Sequence, residues 1–260
     1  MLRRVMPLAL AAAFIWPGAV VAQEEMAEED TPPMLMISSW KCDFGNMDKI
    51  GEDWNMRSIN AAQSAVDNGS WGAAGIFYHA WADEWNVNYW AVGEDIPALL
   101  EGQEASNAAY DEMYGDGTNL WDHCSEHKDG FYQFGKGADS EDDDEGEDDE
   151  PGMMAISSWK CTDVGAVNAA WESSFLPAAQ AVVDAGQWDD AGVFYHAWAG
   201  EWNVNFYYMA EDIPSILEGW QAYTGSFDDD SPDITEWCTE HKDGFYAFGE
   251  SAEPTEEASD

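Results

Sequence analysis

The residues best suited to chemistry stand in a twelve-residue motif that occurs twice. Residues 77–88 read FYHAWADEWNVN, and residues 194–205 repeat them with one change, of Asp83 to Gly200. Because alternate residues of a strand share a face, we expect His79 and Trp81 to lie near Asn86 and Asn88 of the next strand. The second copy supplies His196, Trp198, Asn203 and Asn205. Such a cluster offers aromatic walls, one titratable nitrogen and amide groups, which suit a small, flat, neutral molecule or a sugar ring.

Two interpretations of this cluster stay open. His79 and His196 could act as general bases, and the acidic surroundings would favour their protonated form. Alternatively, the buried histidines and asparagines satisfy one another's hydrogen bonds at a seam of the fold. Identity between the copies fits both interpretations, since a pseudosymmetric seam restricts both copies as well.

Lysines form a second matched set: Lys41 and Lys160 precede one cysteine of each copy, while Lys128 and Lys242 follow the other. If both lysines of a copy lie at one end of a sheet, they make a positive patch that could hold an anion. The alternative is that they pair with neighbouring acids such as Glu126 and Asp129.

The four cysteines also occupy matched positions. The simplest pairing is one disulfide in each copy, Cys42–Cys124 and Cys161–Cys238. A zinc site is the alternative, but no pair shows the close C-x-x-C spacing of such sites, so no metal site is predicted.

The elements that would position these residues have the same order in both copies. In the first copy, patterns predict a strand at Met34–Cys42, a helix at 47–67, strands at 75–81 and 86–92, a helix from Asp95 to about 114, and a strand at 131–134. In the second copy Pro177 falls inside the first helix, which predicts a kink or two helical pieces there.

This βαββαβ order predicts an α+β fold of two tandem ferredoxin-like repeats. In that plan the first and last strands are antiparallel neighbours, which brings Cys42 beside Cys124. Both faces of the predicted strands are aromatic, with Phe77 and Tyr78 on opposite sides. We therefore expect the two repeats to pack sheet to sheet, so that water reaches neither face.

Two such units resemble the dimeric α+β barrel superfamily, which includes small monooxygenases, muconolactone-isomerase-like and NIPSNAP-like proteins. The resemblance covers about Met34–Gly135 and Met153–Gly249, and it implies a pseudo-dimeric barrel made by one chain. Its haem-binding members use a histidine ligand outside the sheet, and no histidine of this sequence matches that position. No catalytic residue is carried over, and no cofactor is predicted.

Composition defines the remaining segments. Arg3 and Arg4, an apolar run and small residues up to Ala22 predict a signal peptide at 1–22, and therefore export to the periplasm or the exterior. The other predicted boundaries are an acidic disordered N-terminus (23–33), repeat 1 (34–136), an acidic linker (137–152), repeat 2 (153–249) and an acidic tail (250–260). The apolar run is shorter than a membrane span, and no other apolar run of the sequence is long enough to be one.

The charge excludes several partners. With 53 acidic and nine basic residues, the net charge is −44. Such a chain repels nucleic acids and anionic lipids, and its acidic surface indicates a salty habitat. We expect a monomer with internal pseudo-twofold symmetry.

Three functions follow as hypotheses. The first is an exported barrel that binds a small ligand or serves as an envelope scaffold, which the absence of a catalytic motif favours. The second is a cofactor-free or haem-linked oxygenase or isomerase that uses His79 and His196. The third is a glycan-binding module, suggested by 15 tryptophans.

Overall fold

The structure is a computed structural model that describes residues 32–80, 85–115, 120–139, 152–197, 202–228 and 230–254. The residues from Pro32 onward belong to one compact unit. The predicted signal peptide (1–22) lies outside the described residues, as do most of the predicted acidic segments at 23–33, 137–152 and 250–260.

Each repeat contributes four strands. Those of repeat 1 are β1 (Met34–Cys42), β2 (Ala73–His79), β3 (Val87–Gly93) and β4 (Cys124–Phe134), followed by a two-residue strand, β5 (Ala138–Asp139). Those of repeat 2 are β6 (Met153–Cys161), β7 (Asp190–His196), β8 (Val204–Ala210) and β9 (Cys238–Ala252). The single long strand β9 covers the positions that are divided between β4 and β5 in repeat 1.

The strands form one closed antiparallel barrel in the order β4-β1-β3-β2-β9-β6-β8-β7, and pairing of β4 with β7 completes the circle. The predicted fold class, two ferredoxin-like repeats packed sheet to sheet, is therefore wrong. The two four-stranded sheets meet edge to edge instead, at a β2–β9 seam, where Phe77 faces Phe248, and at a β4–β7 seam, where Phe134 faces Phe194. The physical reason is that open edges carry unpaired backbone N–H and C=O groups, and closure pairs the edges of both sheets.

The helices lie outside the barrel. Repeat 1 has α1 (Met47–Asp53), α2 (Ile59–Asp67) and α3 (Ile96–Tyr114), and repeat 2 has α4 (Val164–Ala170), α5 (Leu176–Asp184) and α6 (Ile213–Gly225). Short 3-10 turns lie at Phe44–Asn46, Leu120–His123 and Ile234–Glu236. None of the helices within the described ranges is long and apolar enough to cross a membrane.

A π-helical turn interrupts the first helix of both repeats, at Trp54–Ser58 and at Trp171–Phe175. The second turn ends two residues before Pro177, where a kink or break was predicted. Proline is not its cause, however, because repeat 1 has Asn60 at the matching position and the same turn. Each turn begins at a buried tryptophan whose indole N–H donates to a distant backbone carbonyl, that of Glu250 for Trp54 (2.8 Å) and that of Lys136 for Trp171 (2.8 Å).

Both faces of the sheet are buried. Outside the barrel, the helices and strands of each repeat enclose a core of their own. Inside it, residues such as Leu35, Ile37, Phe77, Ile156 and Phe194 form a third core in the lumen. The aromatic residues on both faces of each strand are thereby covered by helices on one side and by the opposite wall of the barrel on the other.

Both predicted disulfides are confirmed. Cys42 is bonded to Cys124 and Cys161 to Cys238, and each pair joins directly opposed positions of neighbouring strands. Since the loops close over 82 and 77 residues, each bond should stabilise the fold by about 4 kcal/mol in the chain-entropy view.

Helix α3 approaches the sheet through a glycine. The Trp71 indole N–H donates to the Leu99 carbonyl at 3.0 Å, and a Cβ added at Gly102 would overlap that indole. Gly102→Ala should therefore lower the free energy of unfolding by about 1–3 kcal/mol despite the better helix propensity of alanine. Chemical denaturation followed by circular dichroism measures this change.

The matched control is Gly51→Ala in α1, where the nearest atom to an added Cβ is the Tyr78 hydroxyl at 3.8 Å. That change should raise stability by about 0.5–1 kcal/mol. If Gly102→Ala were as stable as Gly51→Ala, close packing of α3 on Trp71 would not hold.

Candidate functional site

The backbone keeps each predicted histidine beside an asparagine of the next strand, since the His79 N–H donates to the Asn86 carbonyl at 3.0 Å and the His196 N–H to the Asn203 carbonyl at 3.1 Å. His79 packs edge-to-face on Tyr246 across the β2–β9 seam, and His196 packs in the same way on Tyr132 across the β4–β7 seam, both at 4.9 Å between ring centres. Trp81 and Trp198 lie outside the described residues. A catalytic or ligand-binding role for these histidines stays a prediction.

Asn86 and Asn203 hold backbone near the disulfides. The Asn86 side chain accepts from the Cys42 N–H and donates to the Cys42 carbonyl, both at 2.9 Å. Asn203 makes the same pair of bonds to Cys161, at 2.9 and 2.8 Å. The amide of each asparagine is thus used at the point where the register of β1 or β6 shifts.

Asn88 and Asn205 lie deeper, and each is only 4% exposed. The Asn205 amide donates to the Phe194 carbonyl at 3.5 Å. Among the residues that the structure describes, the Asn88 amide nitrogen has no hydrogen-bond acceptor.

The matched lysines flank tryptophans that the sequence interpretation did not single out. The ammonium groups of Lys41 and Lys128 lie 4.7 and 4.5 Å from the ring centre of Trp85, and Lys41 also pairs with Glu126 at 3.2 Å. In repeat 2 the corresponding partners are Lys160 and Lys242 over Trp202, with Lys160 bonded to Glu240. Cation–π contact and ion pairing thus occupy these lysines, and the anion site stays a prediction.

A pocket that the sequence interpretation did not predict lies between the sheet and the helices of repeat 1. This repeat-1 pocket has a volume of about 560 Å³. It is lined by Met36, Ser38, Trp40, Trp54, Ser58, Ala61, Tyr89, Leu100, Gln103, Ser106, Asn107, Tyr110, Asp111, Trp121, His127, Asp129 and Phe131.

Strands β1 and β4 place a connected polar group on its wall. Ser38 lies opposite Asp129 and Trp40 opposite His127 in the register, so four side chains meet on one face. The Ser38 hydroxyl donates to Asp129 (2.5 Å) and accepts from the Trp40 indole (3.1 Å), while the His127 Nε2 lies 3.7 Å from the Asp129 carboxylate. The alternation of Ser38 with Trp40, and of His127 with Asp129, was the signal available in the sequence.

Aromatic rings enclose this polar group. Trp40 is stacked between His127 and Trp121, with 4.3 Å between ring centres on each side. Tyr89 packs edge-on against Trp54 at 5.5 Å. Burial raises the pKa of Tyr89 well above its usual range, with a smaller opposing effect of the neighbouring Ser106 hydroxyl. Tyr89 is therefore a neutral phenol in the pocket.

The pocket lining contains carboxylates but no lysine or arginine. Asp111 and Asp129 are the charged residues of its lining, apart from the titratable His127, and neither lysine nor arginine is among the lining residues. No group of three or more histidine, cysteine, aspartate or glutamate side chains within the described ranges is arranged to hold a metal ion.

Repeat 2 keeps the wall and changes the helices. Trp159 still stacks on His241 at 4.4 Å and donates to Ser157 at 2.9 Å, and His241 lies 3.6 Å from Asp243. The helix positions that match Ser58, Gln103, Ser106 and Tyr110 carry Phe175, Trp220, Tyr223 and Phe227.

These four aromatic residues form a packed cluster over the second sheet. The ring centre of Tyr223 lies 4.9 Å from that of Phe227 and 5.6 Å from that of Trp220. The ring centres of Trp220 and Tyr208 are 5.1 Å apart. The cavities left around the cluster, about 240 and 440 Å³, do not include His241 in their linings. The repeat-1 pocket combines the strand histidine with polar helix residues, and neither of these two cavities of repeat 2 does so.

Searches against protein-family models and against curated proteins give no match. Solved structures do match. A proposed monooxygenase from Lactobacillus acidophilus NCFM superposes with a TM-score of 0.58 at 8% identity, over 85% of this chain and 96% of the other. An anthrone oxidase-like protein gives 0.55 at 10% identity, over 86% and 93%. A mutant chlorite dismutase from Candidatus Nitrospira defluvii gives 0.52 at 9% identity, over 85% and 92%.

These proteins are members of the dimeric α+β barrel superfamily, so the predicted resemblance is confirmed at the level of fold. At such low identity the likeness carries neither an activity nor a site residue to this chain.

The superfamily includes members that bind haem through a histidine outside the sheet. His123 is the described histidine that lies off the strands, and it does not line the repeat-1 pocket. That pocket also lacks a lysine or arginine that could pair with haem propionates. The lining of the repeat-1 pocket therefore does not fit a haem held by a histidine outside the sheet.

Buried tyrosines predict a loss of stability in alkali. Burial raises the pKa of Tyr132, which packs against His196, to about 12, whereas a tyrosine of the unfolded chain titrates near 10. Between pH 10 and 12 the unfolded state loses this proton more readily, so stability falls as pH rises through that window. Tyr132→Phe should flatten the fall of the melting temperature measured between pH 9 and 11.5, and an unchanged slope would contradict it.

Proposed function

We propose that this protein binds a small planar organic molecule in the repeat-1 pocket. The observation that supports it is the difference between the repeats: repeat 1 has an open polar and aromatic pocket where repeat 2 has four large aromatic side chains. A volume of about 560 Å³ lies within the range of small-molecule sites.

The pocket chemistry supports this ligand class. The aromatic side chains of Trp121 and Tyr89 in the lining offer apolar contact to a flat ring. Asp111 and Asp129 disfavour an anion, so the ligand is neutral or weakly basic. The fold shared with a proposed monooxygenase and an anthrone oxidase-like protein is consistent with an organic ligand.

The double variant Gln103→Trp/Ser106→Tyr, which installs the residues of repeat 2, should fill the pocket. We expect the dissociation constants of acridine and of anthrone, measured by calorimetry, to rise at least about tenfold, because steric exclusion removes the stacking contact. The control is Glu104→Trp, on the exposed side of the same helix. Equal weakening in the control, or unchanged binding in the double variant, would contradict the proposal.

A second candidate is cofactor-free proton abstraction, the first step of an isomerisation or of an oxygenation with dioxygen. The observation that favours it is the imidazole–carboxylate pair on the pocket wall, His127 and Asp129. His127 would accept the proton from an acidic C–H of the bound molecule, and Asp129 would stabilise the imidazolium. We place this step at His127 rather than at His79 or His196, because neither of those two residues is among the residues that line the repeat-1 pocket.

Hydrogen exchange tests this step without requiring full turnover. Under nitrogen and in deuterium oxide, the protein should speed deuteration of the anthrone methylene, and His127→Gln should lower the rate about 10²-fold or more. His241→Gln, the same change in repeat 2, should leave the rate unaltered. Equal losses in both variants would point to a structural role of the histidines.

The other hypotheses receive less support. Trp220 is the most exposed of the described tryptophans, with 37% of its surface accessible, so a row of exposed stacking platforms for glycans is absent from the described surface. Two disulfides are compatible with export to an oxidising compartment, which we retain as part of the proposal.

A further inference from the structure

The barrel encloses a second cavity, which is independent of the repeat-1 pocket. This lumen cavity has a volume of about 300 Å³. Its apolar lining is drawn from both repeats and comprises Leu35, Ile37, Phe77, Trp90, Val92, Phe134, Met154, Ile156, Phe194, Tyr207, Met209 and Phe248. Eight-stranded barrels are just wide enough for side chains to fill or for one small ligand, so a void of this size is a feature to explain.

The two ends of the lumen differ. All strands alternate in direction around the barrel, so the start of β7 and the ends of β4 and β9 lie at the same end. At this end the lining includes Asp190, Ser251 and Glu253, and the exposure of Glu253 shows that this end reaches solvent. Toward the other end, the edge-to-face pairs His79–Tyr246 and His196–Tyr132 fill the interior.

The charge of the open end selects one class of ligand. Asp190 and Glu253 place two carboxylates at the mouth, and no lysine or arginine is among the lining residues. The Asp190 carboxylate accepts from the Tyr207 hydroxyl at 3.5 Å, which connects the mouth to the aromatic wall. The net charge of −44 adds to the field that attracts cations and repels anions.

We propose that the lumen cavity binds an amphiphilic amine, with its apolar body among the lumen side chains and its ammonium group at Asp190 and Glu253. An apolar cavity of about 150 Å³ holds one benzene molecule, so twice that volume suits a body of about a dozen non-hydrogen atoms. Burial of this body supplies most of the affinity, and the mouth carboxylates select the charge.

Three matched probes test the charge preference: 2-naphthylmethylamine, 2-naphthylmethanol and 2-naphthoate. In calorimetry at physiological salt we expect saturable 1:1 binding, with the amine at least about tenfold tighter than the alcohol and no binding of the acid. Propylamine, which lacks the apolar body, controls for unspecific attraction to the acidic surface. Binding of the acid as tight as that of the amine, or equal binding of propylamine, would overturn the proposal.

Methionine methyl groups locate the bound amine without any substitution. Met154 and Met209 line the lumen cavity, whereas Met36 lines the repeat-1 pocket. In protein labelled at the methionine methyls, nuclear Overhauser contacts from the naphthyl protons should reach Met154 and Met209. Contacts to Met36 instead, or to no methionine, would overturn the lumen assignment, and neither result would affect the proposed function of the repeat-1 pocket.

Two variants separate size from charge. Ile156→Phe adds a ring to the lumen wall and should abolish binding of both the amine and the alcohol. Asp190→Asn keeps an acceptor for Tyr207 and should weaken only the amine, by about tenfold. The filled-pocket variant Gln103→Trp/Ser106→Tyr should bind the amine like the wild type, and a loss there would assign the amine to the other site. If Ile156→Phe does not fold, the affinity of Asp190→Asn for the amine and the contacts to the methionine methyl groups still test the proposal.

Discussion

Backbone hydrogen bonding at two seams is the constraint on which the rest of this structure depends. Each repeat alone would leave both edges of a four-stranded sheet open, with unpaired backbone groups and an aromatic face. Pairing of β2 with β9 and of β4 with β7 closes both edges and converts the two inner faces into one lumen. The helices are then confined to the outside, where each repeat can enclose a pocket of its own between helix and sheet.

Within this frame the two repeats have diverged in their helices far more than in their strands. The Ser-Asp-His-Trp group lies on β1 and β4, and its serine–tryptophan, histidine–aspartate and tryptophan–histidine contacts recur on β6 and β9 with nearly the same distances. The four positions that decide whether the pocket is open lie on the π-helical turn and on the long helix. Repeat 1 therefore has a pocket of about 560 Å³ lined by polar helix residues, whereas repeat 2 has aromatic residues at the matching positions, with cavities of about 240 and 440 Å³ around them.

The sequence predicted local features well where one physical rule decided them. Matched cysteines at the ends of neighbouring strands indicated both disulfides, and alternation correctly assigned Phe77 and Tyr78 to opposite faces, in the lumen core and in the outer core of repeat 1. Prediction from the sequence failed where contacts between residues distant in the chain determine the structure. Sheet-to-sheet packing and edge-to-edge closure bury the same aromatic faces, so composition and periodicity could not distinguish them, and the seam contacts of His79 with Tyr246 were out of reach.

What the sequence by itself determined is the duplication, the positions of most strands and helices, the acidic surface and the cysteine pairs, since each depends on neighbours in the chain or on matched spacing. Only the tertiary structure decided that His127 and Asp129, rather than His79 and Asn88, line the repeat-1 pocket, and that the lumen contains a cavity of about 300 Å³. The reason is that a pocket is the space left between elements distant in sequence, and its volume depends on how every wall packs at once.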